Sequence, residues 1–319
     1  MKKIAVLTSG GDAPGMNASI RAVVRAGLAQ GLEVYGIRDG YQGLVDNDIF
    51  EMDRGFVSDI ITKGGTILGS ARLDEFKLTD VRERAVKNLV DKGIEGLVVI
   101  GGDGTYKGAA ALSEMGINVI GIPATIDNDI ASTDYTIGFD TALNTIIENV
   151  DKLRDTSSSH HRCSIVEVMG NRSGDLALYA GITVGAEVVI TKETGFDESH
   201  ILKTLQQIDE RKKKRHAIVI ISEKITDVEL FAQKVSKNTG FSGRSTVLGH
   251  IQRGGSPTAR DRIIATQYGD FALTALLSGK TSVCVCLQND KYVALDIEEA
   301  LNVTKKSRKP LFDLHQRLV

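Results

Sequence analysis

Short apolar runs rich in β-branched residues alternate along this chain with stretches of helical periodicity. The runs lie at residues 4–7, 34–37, 97–100, 119–122, 165–169, 187–190 and 217–221. Strands that alternate with helices pair in parallel, and the helices cover both faces of the sheet, so such strands are apolar throughout. The sequence therefore predicts an α/β protein with a doubly wound, mostly parallel sheet.

Two stretches between these runs have the periodicity of amphipathic helices. Apolar residues recur at 3.6-residue spacing in 80–92 and in 139–153, and Gly93 follows the first stretch. We expect each helix to pack one face on the sheet. Pro14, in the turn after the first apolar run, is typical of the entry to another helix.

Composition limits the classes of function. The 319 residues suffice for about two domains. Lysine and arginine total 39 against 41 acidic residues, a net charge of −2, which argues against general binding to nucleic acid or anionic membranes. The N-terminal apolar run is too short for a signal peptide, and no stretch approaches a membrane span, so we expect a cytoplasmic protein.

The three cysteines do not have the spacing of a metal site. Cys163 is isolated, while Cys284 and Cys286 alternate with apolar residues in 283–287. This pattern favours a buried strand, and we expect reduced, structural thiols.

Glycine-acid turns follow two of the predicted strands. Gly-Gly-Asp occurs at residues 10–12 and again at 101–103. Glycines let the backbone turn tightly and direct N–H groups at an anion, and phosphates commonly bind where strands end and helices begin. Asp103, among the glycines, suits Mg²⁺, which bridges carboxylates to phosphates. The combination suggests a nucleotide.

Two further segments carry reactive side chains. In Thr-Ile-Asp-Asn-Asp, residues 125–129, Asp127 and Asp129 point the same way as Thr125 if the segment is extended, so one carboxylate could accept a proton while another holds metal. The loop 249–257 offers His250 and Arg253 to an anionic or hydroxylated ligand. Each segment, taken alone, is also compatible with an ordinary turn.

Taken together, the motifs closely resemble the bacterial ATP-dependent 6-phosphofructokinase family. They are TSGGDAPGMN (8–17), GSAR (69–72), VIGGDGTYKGA (99–109), PATIDND (123–129), SHHR (159–162), IVEVMG (165–170) and GHIQRGGSP (249–257). The resemblance implies two Rossmann-like three-layer αβα lobes, with approximate boundaries 1–138 plus 251–303 for the ATP lobe and 139–250 plus 304–319 for the sugar-phosphate lobe. It implies transfer of the ATP γ-phosphate to the 1-hydroxyl of fructose 6-phosphate in glycolysis.

The resemblance also implies roles for individual residues. Asp127 matches the general base, and Arg72, Thr125 and Gly11 match groups that contact the transferring phosphate. Asp103 and Asp129 match the carboxylates that serve Mg²⁺. The matching ATP-binding positions are Gly11, Tyr41, Arg72, Leu73, Gly102, Asp103, Gly104, Thr105 and Gly108, with Tyr41 a candidate to stack beside adenine.

For fructose 6-phosphate, the matching positions are Thr125, Asp127, Met169, Glu223, His250 and Arg253, with Arg162 and Arg244 reaching in from a neighbouring subunit. Positions of an allosteric site for ADP and phosphoenolpyruvate map to Arg21, Arg25, Arg54, Arg154, Glu187, Lys212 and Lys214. The family norm is a homotetramer, which we expect here. A solvated charged face is the alternative for each effector position, and a nuclear-localisation signal is a weak alternative for 211–215.

Three positions depart from the family pattern. Asn171 stands where arginine is usual, Ala124 where glycine is usual, and Lys213 where a small residue often lies beside an effector lysine. We expect altered substrate affinity or turnover from Asn171 and weakened or unusual allosteric regulation from Lys213.

Three other functions compete with this assignment. A pyrophosphate-dependent phosphofructokinase shares the motifs, but typically has bulky residues at the positions of Gly104 and Ala124, with lysine at the latter. NAD and lipid kinases share GGDGT but lack the 165–170 and 249–257 segments. A non-catalytic nucleotide sensor is expected to lose Asp103 or Asp127, and both are present.

Overall fold

The elements were assigned in a computed structural model that describes residues 1–211 and 214–319. The first part of the chain contains β1 (Lys3–Thr8), α1 (Met16–Ala29), β2 (Glu33–Ile37), α2 (Gly40–Asp46), β3 (Ile49–Met52), a 3₁₀ turn (Asp74–Lys77), α3 (Thr79–Asp91), β4 (Gly96–Gly101), α4 (Asp103–Glu114) and β5 (Val119–Pro123). The middle part contains α5 (Phe139–His160), β6 (Arg162–Val168), α6 (Asp175–Val184), β7 (Val188–Ile190), α7 (Glu198–Glu210), β8 (Ala217–Ser222) and α8 (Val228–Asn238). The last part contains β9 (Ser242–Val247), a 3₁₀ turn (Gly249–Arg253), α9 (Ala259–Leu277), β10 (Val283–Gln288), β11 (Lys291–Asp296), α10 (Ile297–Asn302) and α11 (Lys309–Leu318).

These elements form two compact units. The first comprises 1–126, 130–141 and 253–305, and the second comprises 127–129, 142–252 and 306–319. Compared with the sequence-based division, the structure places the limits a few residues away and assigns 127–129 to the second unit.

The sheet of the first unit has the strand order β11-β10-β5-β4-β1-β2-β3 among the described residues. Its central pairs are parallel, and antiparallel pairs occur at the edges, between β2 and β3 and between β10 and β11. Ala5 and Leu7 of β1 belong to a core cluster that includes residues of α2, α3 and α4. Alternate residues face the other side, where α1 and α9 pack, so helices cover both faces.

The second unit has a fully parallel sheet in the order β7-β8-β6-β9. Cys163 and Ile165 of β6 share a core with residues of α7 and α8, such as Leu205 and Phe231. Helix α6 contacts β7 and β8. Both units are mixed α/β with mostly parallel sheets, which confirms the predicted fold class.

All seven predicted runs form strands, and both predicted helices are present, as α3 and α5. Residues 283–287 lie in β10, where Cys284 and Cys286 are buried and free, and Cys163 is likewise buried and free. None of the described helices is long and apolar enough to cross a membrane.

Residues 125–129 are not extended, so the condition for Asp127 and Asp129 to point the same way is not met. Ile126 and Asp127 form a turn, and Asn128 has φ of 49°, in the left-handed region. Asparagine is among the residues that adopt this conformation most readily. Asp127 and Asp129 are therefore not alternate residues on one side of a strand.

Candidate active site

The two glycine-acid turns lie at the same edge of the first sheet. Strands β1 and β4 are parallel neighbours, so their carboxyl ends bring the turns together. Ser9 N–H donates to the carbonyl of Ile100 at 3.0 Å, and Thr105 Oγ1 donates to the carbonyl of Ser9 at 3.2 Å. The carboxyl edge of a parallel sheet is where open α/β folds place their ligands.

A cavity of about 410 Å³ opens at this edge, and we call it the arginine cavity. Its lining consists of Gly10, Gly11, Asp12, Thr66, Ser70, Arg72 and Arg253. A Cβ built on Gly11 would lie 3.1 Å from Nη1 of Arg253, so glycine allows the guanidinium to approach the backbone closely. Ser70 Oγ donates to the carbonyl of Gly10 at 2.5 Å and ties the wall that carries Arg72 to the first turn.

The chemistry of this cavity suits an anion. Two guanidinium groups, two hydroxyl groups, glycine backbone and one carboxylate line it, and guanidinium groups pair well with phosphate oxygens. The Nε of Arg253 is buried without a hydrogen-bond partner among the residues that the structure describes. A buried donor of this kind is costly unless a ligand or water satisfies it. The sequence-predicted residues Gly11, Arg72 and Arg253 are therefore brought together.

The second glycine turn begins helix α4. Gly102 is its N-cap, and Asp103 lies exposed in its first turn. A Cβ on Gly102 or Gly104 would meet nothing within 4 Å, so the space beside both is open. The helix N-terminus and the open backbone favour binding of a phosphate group here.

Tyr41 belongs to the core rather than to an open surface. Its ring stacks on Phe76 with centroids 4.3 Å apart, and its hydroxyl donates to the carbonyl of Thr105 at 2.6 Å. Burial raises the pKa of Tyr41. A Cβ on Gly108 would lie 2.5 Å from this ring, so Tyr41 requires glycine there. One face of the ring is thus occupied by Phe76, and stacking on adenine stays a prediction. Leu73 packs partly buried against the same core cluster.

Thr125 belongs to the first unit, at the end of the strand-like segment after β5. Its N–H donates to the carbonyl of Ile137 at 3.0 Å, and its carbonyl accepts from Thr136 Oγ1 at 2.6 Å. Ala124, one of the departures, is 1% exposed and forms a bridge with Ile137. A long side chain at position 124 would have to enter this buried space.

The second unit carries residues 127–129, which we call the carboxylate turn. Asp127 is buried, with 9% of its surface exposed, and Asp129 is half-buried. Asn128 Nδ2 donates to Oδ2 of Asp175 at 3.0 Å. Asn171 Nδ2 donates to Oδ2 of Asp129 at 3.2 Å, so the amide at this departure supports the turn directly.

Asn171 also contacts Glu223, one of the predicted sugar-phosphate residues of the same unit. Its N–H donates to Oε1 of Glu223 at 2.9 Å, and its carbonyl accepts from Lys192 Nζ at 2.5 Å. The N–H of Met169 donates to Oε1 of Gln252 at 3.2 Å. Burial raises the pKa of nearby Glu167, and the negative charge of Glu223 adds to the effect.

Three further predicted sugar-phosphate residues belong to the same unit. His250 is exposed on the second 3₁₀ turn. Arg244 lines a separate cavity of about 420 Å³ formed by α8 and β9. Arg162 donates to Oγ1 of Thr156 at 3.4 Å.

The predicted effector residues fall into two groups. Arg21 and Arg25 lie one turn apart on α1, and Arg54 is exposed after β3. In the second unit, Lys214 Nζ bonds Oε1 of buried Glu187 at 2.7 Å, and Arg154 Nη1 lies 3.3 Å from Nε2 of His216. Burial is the main cause that lowers the pKa of His216. Lys212 and Lys213 lie outside the described residues.

Carboxylates are the protein donors that Mg²⁺ would use in this chain. No group of three or more His, Cys, Asp or Glu side chains able to hold a metal occurs within 1–211 and 214–319. Mg²⁺ commonly takes only one or two carboxylates and completes its shell with water and substrate phosphates. The exposed carboxylate of Asp103, beside the open backbone of Gly102 and Gly104, fits that mode of binding.

Sequence reasoning missed several residues that the structure brings into these sites. They are Asp12, Thr66, Ser70, Asp175 and Gln252. Asp12, Ser70 and Gln252 lie inside motifs already quoted, and membership of those motifs was a signal that could have identified them. Thr66 and Asp175 carry no local signal, because only tertiary contacts connect them to the sites.

A mostly parallel α/β unit with an arginine-lined cavity at its carboxyl edge defines a phosphate-binding protein. The family model for phosphofructokinase matches residues 3–276. The chain belongs to the phosphofructokinase family.

Similar proteins were found among curated sequences and solved structures. An ATP-dependent 6-phosphofructokinase of Photobacterium profundum is 55% identical over 319 residues, which cover 100% of this chain and 99% of the relative. An ATP-dependent 6-phosphofructokinase 1 of Clostridium perfringens is 51% identical over 98% of both chains. The phosphofructokinase structure from Saccharomyces cerevisiae matches with a TM-score of 0.86 and 34% identity, and this chain spans 47% of its length. A pyrophosphate-dependent phosphofructokinase of Marinobacter aquaeolei, 22% identical with a TM-score of 0.86, supports the fold alone.

Proposed function

We propose that this protein is an ATP-dependent 6-phosphofructokinase of glycolysis. It transfers the γ-phosphate of ATP to the 1-hydroxyl of fructose 6-phosphate and yields fructose 1,6-bisphosphate and ADP. The observation that carries the proposal is the arginine cavity, in which Gly11, Arg72 and Arg253 surround a space suited to phosphate. Curated relatives of nearly equal length carry this name at 51–55% identity. The cytoplasm is the proposed location.

The chemistry divides between a base and groups that stabilise charge. Asp127 accepts the proton of the sugar hydroxyl. Because the carboxylate is little exposed, few hydrogen bonds from bulk water compete with that proton transfer. The Gly11 N–H and the Arg72 guanidinium stabilise the negative charge that develops on the transferring phosphate. Thr125 provides a further hydrogen bond near that phosphate.

ATP binding is assigned to the carboxyl edge of the first sheet. The proposed positions are Gly11, Tyr41, Arg72, Leu73, Gly102, Asp103, Gly104, Thr105 and Gly108. Asp103 and Asp129 would hold Mg²⁺, which, when bound, neutralises phosphate charge. The open space at Gly104 and the small Ala124 favour a nucleotide over pyrophosphate as the donor.

Fructose 6-phosphate is assigned to Thr125, Asp127, Met169, Glu223, His250 and Arg253 of one subunit. Arg162 and Arg244 come from a neighbouring subunit, so we propose a homotetramer. Asn171 keeps a neutral hydrogen-bonding role on the carboxylate turn, so substrate affinity or turnover differs from that of relatives with arginine there.

The effector site for ADP and phosphoenolpyruvate is assigned to Arg21, Arg25, Arg54, Arg154, Glu187, Lys212 and Lys214. The ion pair between Glu187 and Lys214 supports a built polar site in the second unit. Lys213 precedes Lys214 in the sequence as an additional cation, and on this ground we propose weak or unusual regulation. Titration of the activity with ADP and with phosphoenolpyruvate tests this, and strong, ordinary activation and inhibition contradict it.

A coupled assay with fructose 6-phosphate tests the main assignment. ATP, GTP and pyrophosphate are compared as donors, and we expect pyrophosphate to be nearly inactive. Asp127→Asn should lower kcat by at least ~10² because general-base help is lost. The matched control is Asp91→Asn, at the exposed end of α3. Comparable rates with pyrophosphate would overturn the assignment of ATP as the donor. A kcat of Asp127→Asn within tenfold of wild type would overturn the assignment of Asp127 as the general base.

A further inference from the structure

A buried carboxylate connects the C-terminal part of the chain to the carboxylate turn. Asp175, the first residue of α6, is 1% exposed. Arg308 donates to it twice, from Nε to Oδ1 at 3.2 Å and from Nη2 to Oδ2 at 2.9 Å. Asn128 Nδ2 donates to the same Oδ2 at 3.0 Å. All three residues belong to the second unit.

The position of Asn128 gives this contact a consequence for the proposed chemistry. Asn128 lies between Asp127 and Asp129, and consecutive Cα atoms are about 3.8 Å apart, so a shift of Asn128 moves both carboxylates. Its φ of 49° is one that few residues adopt, and the hydrogen bond to Asp175 helps to hold it. At the other end of the carboxylate turn, Asn171 donates a hydrogen bond to Asp129.

The geometry of the Arg308 contact is specific. Two parallel N–H groups of a planar guanidinium meet two carboxylate oxygens, an arrangement that fixes the orientation of the carboxylate as well as its position. A lysine ammonium is a point charge and cannot reproduce it. The orientation of the Asp175 carboxylate in turn determines where Oδ2 lies, and Oδ2 accepts the hydrogen bond from Asn128.

Arg308 stands at the start of helix α11, whose far end has a separate attachment. Arg308 is its N-cap, and His315, near the other end, is buried with Nε2 2.8 Å from the carbonyl of Ala186. The helix is thus attached at Asp175, where α6 begins, and at Ala186, just beyond the end of α6.

We infer that Arg308 and Asp175 are positioning residues for the carboxylate turn, acting through Asn128. This inference rests on the proposed function, in which Asp127 is the general base. A misplacement of a reacting group by about 1 Å can cost about 10² in rate, so loss of the bidentate contact should appear mainly in kcat.

The test is a double-mutant cycle on kcat with Arg308→Lys and Asn128→Gly, since glycine tolerates the left-handed backbone of position 128. We expect each single variant to lower kcat about 10-fold or more, with the KM for ATP within about twofold of wild type. The double variant should be no slower than the slower single variant by more than about twofold, because both changes interrupt one connection. A kcat within twofold of wild type in Arg308→Lys, or multiplicative effects in the double variant, would overturn the inference. If Arg308→Lys does not fold, Asp175→Asn takes its place in the cycle, with the same criteria.

Two controls separate positioning from general loosening. Lys309→Ala, at the exposed next position of the same helix, should leave kcat and the thermal unfolding temperature unchanged. His315→Ala should lower the unfolding temperature while kcat stays within twofold, when the assay is run well below that temperature. An equal fall in kcat in His315→Ala and Arg308→Lys would assign the effect to helix docking and refute the inference. A wild-type protein without ATP-dependent phosphotransfer would refute the proposed function itself, which distinguishes the two failures.

Discussion

We expect Asp261 to make the stability of the first unit depend on pH. This carboxylate is fully buried at the start of α9, and it accepts hydrogen bonds from the N–H of Gly138 at 2.9 Å and from the N–H and Oγ1 of Thr141 at 2.8 and 2.5 Å. Burial is the largest influence and raises the pKa of Asp261 from 3.8 to about 6, although the hydrogen bonds from Thr141 and Gly138 oppose it.

The sign of the effect follows from the higher pKa in the folded state. The folded protein holds the proton more tightly than the unfolded chain, so Asp261 contributes stability that is fully present below about pH 4. This contribution is lost as the pH rises through about 6, the pKa of the folded state. A difference of about two between the pKa values corresponds to ~3 kcal/mol of unfolding free energy.

Urea unfolding of the wild type and of Asp261→Asn between pH 4 and pH 7.5 measures this contribution. The substituted amide has no proton to lose, so the free energy of unfolding of the wild type should fall by about 3 kcal/mol relative to the variant over this range. Asp270→Asn, on the exposed side of the same helix, is the matched control and should show no such trend. A difference between wild type and Asp261→Asn that stays constant or grows with pH would show that the three hydrogen bonds outweigh burial, and would refute the reasoning.

Two further substitutions test the packing described above. Gly108→Ala should lower the free energy of unfolding by about 1–3 kcal/mol, because the added Cβ overlaps the ring of Tyr41, which Phe76 prevents from moving away. Thermal unfolding measures this loss of stability, and an unchanged unfolding transition would show that the ring of Tyr41 can move away from the added Cβ. Lys214→Met should cost about 1–3 kcal/mol in urea unfolding, because Glu187 is 4% exposed and would lose its cationic partner. A cost below about 0.5 kcal/mol would mean that water replaces the ammonium.

The seven predicted strands were recognisable because each contains a short apolar run. The strands that escaped prediction lie at sheet edges, and their sequences explain the omission. Ser242–Val247 is half polar and partly exposed, and Ile49–Met52 is four residues long. Such strands need no continuous apolar run because one side faces solvent. Tertiary pairing, rather than local pattern, defines them.

The residues of the candidate site were predictable from motifs, but the conformation of residues 125–129 was not. Motifs identified Gly11, Arg72 and Arg253, which the structure gathers around one cavity. The conformation of residues 125–129 could not be read from alternation, since the left-handed backbone of Asn128 depends on an acceptor 47 residues away in the chain. A hydrogen bond over such a separation leaves no periodic trace in the sequence.

The two compact units are each assembled from separated pieces of chain. The polypeptide passes from one unit to the other after residues 126, 129, 141, 252 and 305. No single proteolytic cut can therefore release either unit as one fragment, and no single stretch of the gene encodes one. An exchange of units between relatives by recombination needs several crossovers at once, so we expect the pair to be inherited together.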